Sequence, residues 1–346
     1  MEYRTLGRTG IKVSAHCLGA MMFGKWGNPD HDDCIRIIHS ALERGINFVD
    51  TADVYSQGES EEIVGKALKG RRDDVVLATK VHGQMGEGPN RSGNSRRWIM
   101  EEVDNSLRRL GTDHIDLYQL HRVDTETDIQ ETLEAVDDLV HQGKIRYAGT
   151  STFPGWMMME AHSVSESRGV VRFACEQPPY SIFVRHVERD IFPVAQRLGM
   201  GVIVWSPLAG GWLAGKYRRD QAVPEDSRAT RAKRWGTGVA ARFDLERSAN
   251  QRKLDLVEDL DVIADKAGVK LAHMAVAFTL AHPAVTSAII GPRTMDQLED
   301  LLAAADLRLN ADTLDAIDGV VEPGSYVESA DRGWEEPWMA PEKRRH

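Results

Sequence analysis

Four side chains able to hold or move a proton fall at or just past the C-terminal ends of three successive apolar runs. Asp50 closes NFVD, Lys80 closes VVLATK and His121 follows IDLYQL, while Tyr55 lies in the loop TADVYSQGESEE behind the first run. A phenol, an ammonium, a carboxylate and an imidazole in one pocket form a proton-donating device aimed at an oxygen. When a carbonyl is reduced, negative charge builds on its oxygen, which then needs a proton and fixed positive dipoles around it. A tyrosine hydroxyl, with an ordinary pKa of about 10, is a sluggish donor at neutral pH, and a neighbouring ammonium favours its ionised form. The set is therefore self-consistent: Tyr55 donates, Lys80 tunes, Asp50 holds Lys80, and His121 orients the carbonyl oxygen. Singly, each has a plainer explanation: a lysine reaching solvent, an aspartate capping a turn beside Thr51, a satisfied interior histidine, a loop aromatic packed on a helix. Their joint position at consecutive strand ends favours chemistry.

The elements that must position these groups alternate between short apolar runs and amphipathic segments of helical period, the pattern of a parallel sheet. Strands are expected at 16–20, 46–50, 75–80, 115–120, 145–151, 173–177, 201–206 and 287–291. Helical patterns lie near 31–44, 59–69, 95–109, 127–142, 155–168, 187–198, 251–281 and 294–304, with 251–281 broken near Gly268. A hairpin with its turn at Gly7 to Gly10 opens the chain. Eight strands, each followed by helix, predict an α/β fold, a single (β/α)8 barrel spanning 1–321 with long loops at its C-terminal face. Residues 82–94 and 207–249 are the two long loops. Residues 322–346, which carry Trp334 and Trp338, form a tail expected to fold over the barrel mouth or to be partly disordered.

Composition narrows the function classes. The 346-residue chain is 42% hydrophobic and carries a net charge of −10, which argues against a nucleic-acid surface. Its one basic cluster, RATRAKR (Arg228 to Arg234), reads as a solvated loop or helix end. Cys17, Cys34 and Cys175 match no disulfide framework or metal-ligand spacing. MEYRTLGRTG lacks a signal-peptide core, and no apolar run is long enough to span a membrane. The expectation is a soluble cytoplasmic protein without a metal. GGWLAGKY places Gly210, Gly215 and Lys216 at Walker spacing, but Tyr217 stands where the magnesium-binding hydroxyl belongs. No GxGxxG lies between strand and helix. The run Met157–Met159 reads as helix packing.

The stretches GINFVDTADVYSQGESEEIVGKAL (45–68), VVLATK (75–80), IDLYQLHRVD (115–124), WSPLAGGWLAGKY (205–217) and AIIGPRTMDQLED (288–300) are together similar to the aldo-keto reductases, in the style of the bacterial branch near the potassium-channel β subunits. The resemblance implies a barrel that binds NADPH (NADP+) in extended form, in preference to NADH, and the tetrad Asp50, Tyr55, Lys80 and His121. It assigns Ser151, Thr152 and Gln177 to the nicotinamide carboxamide, with Thr152 standing where the family has asparagine. Trp205 matches the residue that stacks on the nicotinamide ring. Ser206, Leu208, Gly210 and Lys216 lie in the loop along the pyrophosphate. Gly291, Arg293 and Gln297 fall at the adenosine 2′-phosphate, and Asp300 replaces an asparagine near the adenine.

The activity so implied is reversible NADPH-dependent reduction of an aldehyde or ketone. A cofactor-binding regulatory or redox-sensing subunit with little turnover is the alternative. A barrel hydrolase with Asp50 as base would leave Trp205 and Arg293 unexplained. Met22, Phe23, Trp26, His82 and Trp212 are expected to line a partly aromatic pocket for a small carbonyl substrate. The identity of that substrate and the oligomeric state are not readable.

Overall fold

The eight apolar runs fold as short parallel strands. With β1 (Tyr3–Thr5) and β2 (Lys12–Ser14) of the N-terminal hairpin, they are β3 (His16–Gly19), β4 (Phe48–Asp50), β5 (Val76–Val81), β6 (Ile115–Leu120), β7 (Ile145–Ser151), β8 (Cys175–Gln177), β9 (Gly201–Val204) and β10 (Ser287–Ile290). β3 to β10 pair in chain order and β10 closes on β3, so the barrel has no open edge. The computed structural model describes residues 1–219, 221–232 and 236–344; Lys233 and Arg234 of the basic cluster lie outside them.

Contacts divide the chain into two compact units. The first comprises residues 1–177, 191–205 and 282–306 and contains the hairpin and the whole barrel. Its helices bury apolar faces spaced three and four residues apart, as Cys34, Ile37, Ile38 and Ala41 are in the helix His31–Glu43. Asp30 caps that helix by accepting from the Asp33 amide, and Ser95 caps Arg96–Leu110 in the same way. The barrel floor is apolar: Leu6 and Val13 of the hairpin segment pack with Cys17, Phe48, Ala78, Leu117, Cys175 and Ile203. Gly7 must be glycine there, because an added Cβ would stand 2.6 Å from the Gly201 amide nitrogen. In the helix Gly155–Arg168, Met157 and Met158 are buried, whereas Met159 is exposed.

The second unit comprises residues 178–190, 206–281 and 307 onward. The pattern expected over 251–281 resolves into the helices Ser248–Lys266 and Leu271–Ala281. The helix Ala311–Val320 was not among the expected elements. Its signal is Asn310, whose side chain accepts from the Thr313 amide at the helix start. The pattern at 187–198 splits into a 3₁₀ turn, His186–Glu188, and the helix Ile191–Leu198. Within the second unit, residues 325–332 of the tail are fastened by charge. Lys253 and Asp331, both buried, pair at 2.6 Å, Arg242 reaches the other Asp331 oxygen, and Arg247 pairs with Glu328. No described helix is long and apolar enough to cross a membrane.

Candidate active site at the C-terminal ends of the barrel strands

Strand register sets the site. Asp50 of β4 lies opposite Ala78 of β5, so Lys80 stands two residues further toward the C-terminal face. Lys80 in turn lies opposite Gln119 of β6, and His121 stands two residues beyond that. Side chains two apart on a strand share a face, so Ala78 and Lys80, like Gln119 and His121, point to the same side of the barrel wall. The structure thus brings the four expected proton-handling groups together.

Lys80 is fully buried. Its ammonium donates to Asp50 Oδ1 at 2.5 Å, to the Thr51 carbonyl at 2.7 Å and to the Tyr55 hydroxyl at 3.4 Å. Burial opposes the charge on Lys80, but the Asp50 carboxylate and the Tyr55 oxygen outweigh it and hold the pKa above the usual lysine value. The second Asp50 oxygen accepts from Gln177 Nε2 at 2.8 Å and from Gln119 Nε2 at 3.2 Å. Tyr55 and His121 meet edge to face with ring centroids 5.5 Å apart, and Trp26 tilts over Tyr55 at 6.1 Å. Burial, and then the positive charges of Arg122 and Lys80, push the His121 pKa well below the ordinary histidine value, so its imidazole is neutral at pH 7.

The chain holds Tyr55 with local strain. Ser56 and Gln57 adopt φ values of 50° and 57°, unusual for residues other than glycine. Neighbours over-determine the turn: the Ser56 hydroxyl accepts from the Trp26 amide, and Asp53 Oδ1 accepts from the Val54 amide.

Ser151 and Gln177 face each other across β7 and β8, where the Ser151 hydroxyl donates to the Gln177 carbonyl at 2.9 Å. Thr152 has φ 63°, a conformation asparagine tolerates better than a β-branched residue. Trp205 follows β9 and is partly buried. At the far edge of β10, Gly291 is exposed, and the Arg293 amide donates to Gln297 Oε1 at 2.9 Å. The Arg293 carbonyl accepts from Asn28 at 2.9 Å, and Thr294 caps the helix Met295–Ala303 that carries Gln297 and Asp300.

Of the expected pocket residues, Trp26 and His82 are partly exposed, whereas Met22 is nearly and Phe23 wholly buried. Ser206, Leu208, Gly210, Lys216 and Trp212 belong to the second unit. Trp212 is buried there against Tyr217, with the Lys253 ammonium over its ring and its indole N–H donating to the Arg242 carbonyl. Its side chain is therefore engaged in packing.

Sequence reasoning missed Gln119, which links Asp50, Gln177 and the Cys175 thiol. The available signal was its parity with His121 and with the apolar Ile115 and Leu117 on the same strand. It also missed a buried acidic group behind the Tyr55 loop, where Arg109 bridges Glu61 at 2.6 Å and Glu102 at 2.5 Å, and Thr79 donates to Glu61. Burial and the neighbouring carboxylates Glu61 and Glu102 raise Asp53 well above the usual carboxylate range.

Comparison with known proteins agrees with the closed barrel. A profile of the aldo/keto reductase family matches residues 16–322. The uncharacterized oxidoreductase YrpG of Bacillus subtilis is 40% identical over 95% of this chain and 99% of its own length. A probable voltage-gated potassium channel subunit beta of Arabidopsis thaliana is 36% identical over 94% of this chain and 100% of its own. The versiconal hemiacetal acetate reductase of Aspergillus parasiticus is 35% identical over 91% of this chain and 95% of its own. With the closed barrel, the profile match and these relatives, the chain belongs to the aldo/keto reductase family and is an NAD(P)H-dependent oxidoreductase.

Proposed function

We propose that this chain reduces an aldehyde or ketone to the alcohol with NADPH, Tyr55 supplying the proton. The observation that carries the reading is the Lys80 ammonium held between Asp50 and the Tyr55 hydroxyl, with His121 edge-on to the phenol. When bound, the reduced nicotinamide supplies hydride to the carbonyl carbon. His121, as a neutral imidazole, donates an N–H to the carbonyl oxygen and holds it against the Tyr55 hydroxyl. Tyr55 passes its proton to that oxygen, and the ammonium 3.4 Å away stabilises the phenolate left behind. Asp50, braced by Gln119 and Gln177, keeps the ammonium in place. The same groups run the reverse oxidation.

The residues present suit a nicotinamide dinucleotide phosphate. Ser151 gives its proton to a carbonyl and so offers lone pairs to a carboxamide N–H. Trp205 offers an aromatic face at a strand end. Arg293 directly precedes the cap of the helix Met295–Ala303, and a guanidinium beside a helix N-terminus suits a phosphate monoester. Gln297 orders the turn by accepting from the Arg293 amide. The Asp300 carboxylate, one helical turn further on, pulls the other way.

Arg293→Leu is accordingly expected to weaken NADPH binding about ten- to a hundredfold, the usual range for lost hydrogen bonds to a charged group, and to leave NADH binding nearly as it was. Fluorescence titration with each cofactor measures this. Equal losses for both cofactors, or none, would remove Arg293 from phosphate recognition.

A further inference from the structure

His82 follows β5 two residues after Lys80, between the Tyr55 loop and the end of β6. On one side, Gly83 backs so closely on Val54 that an added Cβ would stand 2.6 Å from the Val54 Cβ. On the other side lies Asn94, itself almost fully buried. The His82 backbone is held at φ 153°, a value side-chain-bearing residues seldom adopt and one that recurs at functional sites.

The hydrogen bonds around Asn94 fix which His82 nitrogen carries the proton. The Asn94 amide nitrogen is 3.0 Å from the Arg122 carbonyl oxygen, which can only accept. The side chain is therefore oriented with Oδ1 toward His82, where Nδ1 lies 3.0 Å away. Asn94 cannot swing out of this arrangement: its backbone amide donates to Asp124 Oδ2, and its carbonyl accepts from the Thr132 hydroxyl. Since Oδ1 also only accepts, Nδ1 of His82 bears the hydrogen, and in the neutral ring Nε2 is left with a lone pair. Nε2 makes no hydrogen bond to any described residue, and the ring is only partly buried. Burial and the Arg122 charge favour the neutral ring, against Asn94 and Asp124, and the balance lowers the His82 pKa. The His121 amide donates at 2.8 Å to the carbonyl of Val81, the residue before His82, and the His82 charge is among those that lower the His121 pKa.

Tyr55 and His121 offer donors to a carbonyl oxygen, whereas His82, two residues after Lys80 at the end of β5, offers an acceptor. We propose that His82 Nε2 is a specificity subsite that selects carbonyl substrates bearing a hydroxyl close to the carbonyl group, hydroxy aldehydes and hydroxy ketones, over their deoxy counterparts. The inference rests on the carbonyl-reductase reading above. A substrate hydroxyl satisfies Nε2, whereas a deoxy substrate covers it with carbon and leaves a polar atom unpaired.

The test is kcat/KM with NADPH at pH 7.5 for two matched pairs, lactaldehyde against propanal and 3-hydroxybutanal against butanal, in wild type, His82→Phe and His82→Gln. In wild type, at least one hydroxylated member should exceed its deoxy partner about ten- to a hundredfold. His82→Phe should bring that ratio close to one, and His82→Gln, which keeps an acceptor, should retain part of it. A wild-type ratio near one for both pairs, or a ratio that survives in His82→Phe, overturns the subsite and leaves the reductase reading standing. NADPH binding without turnover of any of the four aldehydes overturns both. Should His82→Phe fail to fold, the wild-type ratios and His82→Gln still decide.

Discussion

Tyr55→Phe is expected to lower kcat for carbonyl reduction by about a hundred- to ten-thousandfold, the usual worth of a positioned proton donor, while cofactor affinity stays close to wild type. The substitution isolates the hydroxyl. A phenylalanine ring keeps the tilted contact with Trp26 and the edge contact with His121, and the turn beyond it is held by Ser56 and Asp53 rather than by the phenol oxygen. What is lost is the group 3.4 Å from the Lys80 ammonium. Loss of NADPH absorbance gives the rate, and quenching of protein fluorescence gives the affinity. A rate within about tenfold of wild type would assign the proton to another donor, because a positioned general acid is worth more than that.

The Lys80–Asp50 pair makes the second large prediction, and it concerns stability as well as rate. Both side chains are almost completely removed from solvent, at 0% and 3% exposure. Taking one partner away strands the other as a buried charge, which costs about 3–5 kcal/mol. In Lys80→Met, the Asp50 carboxylate keeps only its amide donors Gln119 and Gln177. In Asp50→Ala, the ammonium keeps the Thr51 carbonyl and the Tyr55 hydroxyl. Each single variant should therefore unfold at markedly lower urea concentration than wild type, and the double variant Asp50→Ala/Lys80→Met should lose less than the sum of the two. Either substitution should also cut kcat at least as strongly as a lost donor does, since the charge that develops on Tyr55 loses its support. Additive losses in urea would mean that the two groups are held independently.

The barrel was legible because parallel strands covered on both faces read as continuous apolar runs, and because the helices between them keep a clean period. The clustering of Asp50, Tyr55, Lys80 and His121 was legible because three of them interrupt such runs at their ends. Gln119 was not, since a polar residue inside IDLYQL, which also holds Asp116, looks like an ordinary outward position until the register with Lys80 is known. Asn94 was hidden for a different reason: its meaning depends on contacts with Arg122 and Asp124, 28 and 30 residues away, that only the closed barrel creates. Glu61, Glu102 and Arg109 each resemble surface charges in sequence, and burial alone turns them into a network behind the Tyr55 loop. Trp212 was expected at a pocket wall from its place after the seventh barrel strand, yet Tyr217 and Lys253 enclose it within the second unit. The second unit was the hardest to read, because its α-helices before Ser248, among the described residues, are Arg228–Ala232 and Thr237–Ala241, five residues each and too short to show a period.

If hydride passes from a nicotinamide to a carbonyl carbon at the Asp50–Tyr55–Lys80–His121 site, an isotopic label on the nicotinamide should follow it. The most direct measurement supplies NADPH carrying deuterium at the transferring position of nicotinamide C4, together with an aldehyde the protein turns over, and reads the alcohol by mass spectrometry in wild type and Tyr55→Phe. One deuterium is expected on the carbinol carbon with wild type, and label should arrive far more slowly with the variant. An alcohol formed without deuterium, or label transferred equally fast by both proteins, would contradict transfer at this site.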